Sequence, residues 1–257
     1  MQNNTFFGDL LSRHTIVLHE TTSTNDYLLH LLTNSTPLPE YTAIMAKTQT
    51  KGRGQRGTTW HATPFSNLTC SIYLRPEGLP IGKQFFLTVI ASLAIRDTVL
   101  QYIDQPVHIK WPNDIYVGRR KLGGILIENK LAGSNIRTSV IGIGLNILET
   151  AFPTDLQAQA VSFRQLSPHQ DFSFLAIIQH IQRFMMHYHH MLKQGQHELL
   201  LQKYNAHLFQ RHETRQYLVD GEVISGKILG VERDGLLQIA HSETIKKYDL
   251  KGLIYQL

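Results

Sequence analysis

The stretch Thr48–Trp60, TQTKGRGQRGTTW, decides how the rest of the chain is read. Gly52, Gly54 and Gly57 are interleaved with Lys51, Arg53 and Arg56, and no carboxylate lies among them. Glycine lets backbone reach φ > 0 and come close to a ligand. Arginine offers a planar fork of donors that suits phosphate or carboxylate. The stretch therefore reads as a basic loop, mobile when empty and ordered by an anion. The plainer reading is a solvated hairpin loop, and a second cluster, Lys110–Glu128, decides between them.

The glycines also spell G-x-G-x-x-G, with Glu77 twenty residues beyond Gly57. A dinucleotide fingerprint must open a helix directly after a strand. Here Thr58-Thr59-Trp60 and then Pro64 follow, with no helical apolar period, and bulky Arg and Gln side chains separate the glycines. That reading is excluded. So is the phosphate loop G-x-x-x-x-G-K-[ST], because Thr58 stands where its lysine belongs.

A chain of 257 residues suits one large domain, or a domain plus a small one. With 42% hydrophobic and 18% charged residues it can bury a sizeable core, and disorder is not expected. No apolar run approaches the roughly 18 residues of a membrane helix. The opening MQNNTFFGDLLSRH lacks the features of a secretion signal. One cysteine cannot form an internal disulfide, which fits a reducing cytosol and gives a cytoplasmic expectation. Cys70 alternates with Leu68, Ile72 and Leu74 as one strand face, so it reads as core and not as a nucleophile. The net charge of +5 weakly favours anionic partners, but the cations are spread out and no helix-turn-helix precedes the first strand. Among fourteen histidines, His187, His189 and His190 read as a solvated helix face, since no H-E-x-x-H or Cys/His set accompanies them.

Hydrophobic periodicity orders the remainder. Residues 15–18 form a short strand, and Thr21–Asp26 starts a helix that Thr22 or Ser23 can cap. That turn also offers hydroxyls and an amide to a polar ligand. Residues 41–49 and 67–75 read as strands, so the glycine loop is a wide flap between them. Residues 84–102 carry a helical apolar stripe. Residues 107–111, 115–117, 125–128 and 136–148 read as strands, and 151–168 as loop with short helical pieces. Residues 172–208 are a long helical region that Gly195 can interrupt. From about Thr214 short strands alternate with turns, giving a catalytic unit over 1–212 and a small β module over 213–257.

The second cluster begins with Lys110-Trp111-Pro112-Asn113-Asp114. Pro-Asn-Asp is ordinary turn chemistry, but it leaves Lys110 and Trp111 unexplained. In Lys121-Leu122-Gly123-Gly124-Ile125-Leu126-Ile127-Glu128, adjacent glycines weaken a strand unless something must approach its backbone. Gly142-Ile143-Gly144-Leu145-Asn146 repeats the theme. Together with the basic flap, these strands describe a site for a small anion on a sheet face.

The ordered set Ser23-Thr24-Asn25, GRGQRG (52–57), KWPND (110–114), KLGGILIE (121–128) and GIGLN (142–146) resembles biotin–protein ligase, also called biotin holoenzyme synthetase. The resemblance implies an α+β fold: a mixed β-sheet with flanking helices, similar to class II aminoacyl-tRNA synthetases and biotin/lipoate ligases, followed by a small C-terminal barrel of the Src-homology-3 type. It is to the short form, without the N-terminal DNA-binding winged helix of members that repress transcription. It implies ATP, Mg²⁺ and biotin as reactants. Biotin's carboxylate attacks the α-phosphorus to give biotinyl-5′-AMP and pyrophosphate. A lysine of a biotin carboxyl carrier protein then displaces AMP. The enzyme so implied needs neither DNA nor membrane and is a monomer or homodimer.

By resemblance and by charge, Arg53 and Lys121 hold the carboxylate and α-phosphate and are the catalytic candidates. Ser23, Thr24, Asn25, Gln49, Gly52, Arg53, Lys121, Gly124 and Gly144 are the biotin candidates. Arg53, Gln55, Arg56, Gly57, Trp60, Lys110, Asn113, Asp114, Lys121 and Asn146 are the nucleotide candidates, with Asp114 a metal ligand. Gln55 departs from the GRGRRG loop of many members, so no arginine role carries over to it. A lipoate ligase or octanoyl transferase on the same fold remains an alternative, although a thiol mechanism would want a placed cysteine. A basic nucleic-acid-binding module is the other alternative, and it predicts salt-dependent oligonucleotide binding without ATP turnover.

Overall fold

Seven strands form the central sheet in the order β1-β2-β3-β7-β6-β5-β4: β1 (Thr15–Thr21), β2 (Ala43–Gln49), β3 (Asn67–Leu74), β4 (Val107–Lys110), β5 (Asp114–Val117), β6 (Arg120–Ala132) and β7 (Asn135–Asn146). β1 runs parallel to β2, and the other pairs are antiparallel. The structure is a computed structural model that describes residues 14–34, 37–250 and 252–256, with Arg56 described through its backbone alone.

Alternation along the inner strands gives the sheet two unlike faces. One face carries Met45, Leu68, Cys70, Ile72, Leu74, Ile141, Ile143 and Leu145, all buried. It is covered by α2 (Phe85–Val99), α4 (Phe174–Lys193) and α5 (His197–Ala206). Phe86, Leu87, Val89, Ile90, Leu93 and Ala94 of α2 are fully or almost fully buried there. Burying a large apolar side chain is worth roughly 1.5–3 kcal/mol, so this layer supplies most of the stabilisation. The opposite face carries Ile44, Tyr73 and Val140, which pack under Leu28 of α1 (Thr24–Asn34). Farther along the same face the side chains become small, and the covering layer is missing.

The expected flap does join β2 to β3, and it contains a 3₁₀ turn at Gln55–Gly57. Ser23 caps α1, its hydroxyl accepting from the Asp26 N–H at 3.4 Å. Strand β6 is far longer than the expected 125–128, because it pairs with β7 from Gly123 to Ala132. The 172–208 region is two helices, broken where Gly195 takes φ +73°. A short helix, α3 (Phe163–Leu166), follows the 149–162 segment and carries a capping box at Ser162 and Gln165. His189 corrects an expectation: it is buried rather than solvated, because Tyr41 places its hydroxyl 2.8 Å from the ring Nδ1. His187 and His190 are exposed as expected.

Strands β8 (Thr214–Val219), β9 (Glu222–Val231), β10 (Leu237–His241), β11 (Thr244–Tyr248) and β12 (Ile254–Tyr255) form a second sheet, ordered β11-β10-β9-β8-β12. It is docked on the first unit by hydrogen bonds. The Asn205 amide exchanges two with the Val231 backbone, at 3.0 and 2.8 Å. The Trp111 indole donates to the Gly235 carbonyl at 3.0 Å.

Candidate active site

The uncovered part of the α1 face is a cavity of about 360 Å³. Its floor is made by residues whose register places them side by side: Thr69 opposite Gly144, and Gly144 opposite Gly124. The glycines exist for reasons other than ligand approach alone. A Cβ on Gly144 would lie 2.3 Å from the Trp60 ring, one on Gly142 would lie 2.5 Å from Asn25, and one on Gly123 would lie 2.4 Å from Leu145. These strand glycines make room for protein side chains that shape the cavity, which revises the sequence-based reading. Gly124 is the nearest to the original idea, since a Cβ there would face Asp114 and the Lys121 ammonium at 3.2 and 3.3 Å.

One end of the cavity is neutral and polar. The Gln49 carbonyl accepts from the Thr24 N–H at 2.9 Å and from its hydroxyl at 3.2 Å. The Ser71 hydroxyl lies 2.7 Å from Thr24 Oγ1 and 2.6 Å from Asn25 Oδ1, and its single hydrogen serves one of them at a time. The Asn25 amide donates to Glu128 at 2.7 Å and to the Leu126 carbonyl at 3.3 Å. Ser23, Thr24 and Asn25 are nearly fully buried. This end holds fixed, mutually oriented donors and acceptors.

The rest of the cavity is cationic. Arg53 reaches in from the flap beside that polar end, paired with Asp26 at 2.6 Å and with Glu128, the partner of Asn25, at 2.9 Å. Lys121 is paired with Asp114 at 2.7 Å and lies 5.8 Å above the Trp60 ring. Lys110 lies between the rings of Tyr116 and Tyr255 at 5.0 and 4.9 Å and donates to the Tyr116 hydroxyl at 3.2 Å. Burial holds the Lys110 ammonium below its usual range. Among the described residues lining this cavity, Asp114 is the sole carboxylate.

Trp60 separates this cavity from a second one of about 330 Å³, lined by Trp60, Lys121, Asn146, Glu149, Phe152 and Gln159 among others. The Trp60 indole N–H is buried without a partner among the described residues. Asn146 donates to the Val161 carbonyl at 3.1 Å and thereby pins the 149–162 segment beside β7. The two cavities meet at Thr59, Trp60 and Lys121, so a ligand with two unlike halves can occupy both.

Most of the sequence-predicted residues converge here: Ser23, Thr24, Asn25, Gln49, Arg53, Gln55, Trp60, Lys110, Asn113, Asp114, Lys121, Gly124 and Gly144 line the first cavity. Asn146 lines the second. Gly52 and Gly57 line neither. Gly52 is a glycine because a Cβ would lie 2.3 Å from the Trp60 carbonyl, and Gly57 because φ is +78°. Asn113 spends its amide on the Ile125 carbonyl at 2.5 Å, which fixes the turn between β4 and β5. The side chain of Arg56 lies outside the described residues.

Sequence reasoning missed Thr69, Ser71 and Tyr255. The alternation that put Leu68, Cys70 and Ile72 on the core face also puts Thr69 and Ser71 on the opposite one, so their signal was present. Nothing in the sequence brings Tyr255 to the cavity. Cys70 is fully buried, and burial pushes its thiol up to about 12, which disfavours the thiolate a nucleophile needs. No three His, Cys, Asp or Glu side chains among the described residues gather to hold a metal ion, and no described helix is long and apolar enough to cross a membrane.

A sequence model described as the biotin/lipoate A/B protein ligase family matches residues 17–146. The bifunctional ligase/repressor BirA of Bacillus subtilis is 30% identical over 242 residues, covering 93% of this chain and 73% of that protein. The biotin–[acetyl-CoA-carboxylase] ligase of Mycobacterium tuberculosis is 33% identical over 153 residues, covering 58% of this chain and 54% of its own length. In fold, the biotin protein ligase from Aquifex aeolicus, solved in complex with biotin and ATP, superposes with a TM-score of 0.78 at 23% identity over 94% of this chain and 98% of that one. The ordered motifs, the α+β sheet with its small C-terminal β unit and these matches agree: the chain belongs to the biotin/lipoate A/B protein ligase family, on its biotin–protein ligase side.

Proposed function

We propose that this biotin–protein ligase uses the cavity between α1 and the flap to join biotin's carboxylate to the α-phosphate of ATP, and then hands the biotinyl group to a lysine of a biotin carboxyl carrier domain. The observation that carries the residue assignment is the union of two unlike ends in one 360 Å³ space. The neutral end, Ser23, Thr24, Asn25 and Gln49, suits a ureido head, which both donates and accepts. The cations, Arg53 beside that end and Lys110 and Lys121 beyond it, suit two anions that repel each other.

Each residue then has a defined task. Arg53 and Lys121 lie against the attacking carboxylate and the α-phosphate. They offset charge that builds as the new C–O–P linkage forms and pyrophosphate leaves, an electrostatic contribution that is usually the largest in such reactions. Lys110 faces the departing phosphates. Trp60 forms the wall between the biotin space and the nucleotide space. Asn146 keeps the 149–162 segment in place around the nucleoside. In the second step the acceptor amine forms the amide bond, AMP departs with the former carboxylate oxygen, and the amine's proton passes to solvent or to a basic group. The flap excludes water from the mixed anhydride, which would otherwise hydrolyse.

Asp114 suits Mg²⁺, because magnesium is usually held by one or two carboxylates plus substrate phosphates rather than by an all-protein cage. The ion would supply charge neutralisation at the phosphates. Asp114 would be its protein ligand, and the Lys121 ammonium 2.7 Å away faces the same phosphates.

The reading favours biotin over lipoate through its polar end. A site that hydrogen-bonds a polar head rejects analogues lacking it by roughly 10⁴–10⁵. The test is pyrophosphate release with ATP, Mg²⁺ and either acid. Release with biotin and not with lipoate is expected; release with lipoate alone would overturn the assignment.

A further inference from the structure

The three cations that line the cavity among the described residues are held in two different ways. Arg53 and Lys121 each sit on a carboxylate at 2.9 Å or less. An arriving phosphate must compete with those partners. Lys110 makes no ion pair within 4 Å among the described residues, although the carboxylate of Asp114, its register partner, favours its charge from farther off; two tyrosine rings and one hydroxyl hold it in direct contact. The negative face of an aromatic ring attracts an ammonium but carries no net charge, so it holds the cation without cancelling it. Tyr116 belongs to the same hairpin as Lys110, but Tyr255 comes from β12, the last strand of the second sheet. Tyr255 is itself set edge-on against Tyr217 at 5.5 Å and 77°. Tyr217 is fully buried in the second unit, so the ring position is fixed by that unit's core. The Trp111 indole, adjacent to Lys110, donates to Gly235 of the same unit.

We propose that Tyr255 is a positioning residue for adenylation: its ring, supplied by the C-terminal unit, holds Lys110 in the cavity as a cation without a direct ion pair, open to the polyphosphate of ATP. This rests on the ligase reading above and assigns the second unit a part in the site. Burial alone disfavours the charged lysine, and the two rings act against that. Loss of the Tyr255 ring should therefore weaken ATP capture while leaving the neutral end of the cavity, and with it biotin, undisturbed.

The test uses the full chain and steady-state pyrophosphate release, with ATP and biotin varied separately. Tyr255→Leu is expected to raise KM for ATP about tenfold, the scale of a partly desolvated cation–π contact, with KM for biotin within about twofold. Position 255 is then filled with phenylalanine carrying none, three and five ring fluorines, which keeps the shape and drains the negative face. KM for ATP is expected to climb stepwise along that series. A flat series overturns the proposal, as does a Tyr255→Leu protein whose KM values for ATP and biotin rise together. The fluorinated series decides the matter alone if Tyr255→Leu does not fold. If the unaltered chain releases no pyrophosphate with biotin, the ligase reading fails; if it does and the series is flat, only the role of Tyr255 fails.

Discussion

The Glu128 carboxylate is shared between Arg53, 2.9 Å away, and the Asn25 amide, 2.7 Å away. One side chain therefore ties the flap's cation to the neutral end of the cavity. The same carboxylate thus has two contacts, one to the flap and one to the turn that opens α1.

Glu128→Gln is expected to separate those two contacts. The Arg53 pair is 42% and 29% exposed, and pairs of that kind contribute about 0–1 kcal/mol, so the melting temperature should hardly move. Adenylation should change more than stability: KM for biotin is expected to rise by roughly three- to tenfold as the flap loses its anchor, in line with a charge-assisted hydrogen bond. Thermal unfolding and steady-state kinetics on the same preparation check both parts. A large loss of stability with normal kinetics would show that the carboxylate serves the fold alone.

Lys121→Ala should reduce the rate of adenylate formation by about a hundredfold, the scale seen when one preorganised donor to a developing charge is lost. The lysine is one-third exposed, so its ion pair with Asp114 adds little to the fold. Single-turnover pyrophosphate release with an unchanged circular dichroism spectrum is the expected pattern. Near-normal release would remove Lys121 from the mechanism.

Gly144→Ala tests the new reading of the strand glycines. The added methyl would lie 2.3 Å from the Trp60 ring, and overpacking of this kind costs about 1–3 kcal/mol. If the glycine serves Trp60, then in a Trp60→Ala background the same substitution should cost less than about 0.5 kcal/mol, because contacting sites are not additive. Denaturant unfolding of the four proteins in the cycle gives the coupling directly. Equal costs in both backgrounds would mean that the glycine answers to something else.

Stability should fall at acid pH through His189. Burial lowers its pKa from 6.5 to about 4, with the Lys193 ammonium acting in the same direction, even though the Glu40 carboxylate lies 3.5 Å from the ring Nδ1. The folded state therefore keeps the ring neutral, while the unfolded chain takes up a proton below about 6.5. Its contribution is fully present above that pH, is lost as pH falls from about 6.5 towards 4, and does not fall further below 4. Burial lowers His108, His180, His197 and His207 in the same direction, so the informative quantity is a difference. Between pH 7 and pH 5 the His189→Leu protein should lose less stability than the unaltered chain, by about 1–2 kcal/mol. Parallel acid limbs for the two proteins would contradict this.

Local chemistry made much of this molecule legible. The basic flap, the strand on either side of it and the polar turn before α1 are each written in consecutive residues. Contacts between distant segments were harder to read. Strand β6 looked short because Gly123 and Gly124 weaken it and exposed polar residues follow, yet a full ladder with β7 sustains it to Ala132. His189 looked solvated because Tyr41, its partner, is 148 residues away in sequence. The room that Gly144 makes for Trp60 was hidden for the same reason, since Trp60 arrives over it from the flap. Tyr255 reaches Lys110 only because one unit docks on another, and a single sequence carries no local mark of that docking.

The claim on which the account turns is that the cavity between Gln49 and Lys121 takes biotin. Isothermal titration calorimetry of the full chain with biotin tests it most directly. The account predicts saturable heat from one site per chain, tightened by ATP with Mg²⁺ and absent with lipoate. No heat from biotin at any attainable concentration, with or without the nucleotide, would contradict it.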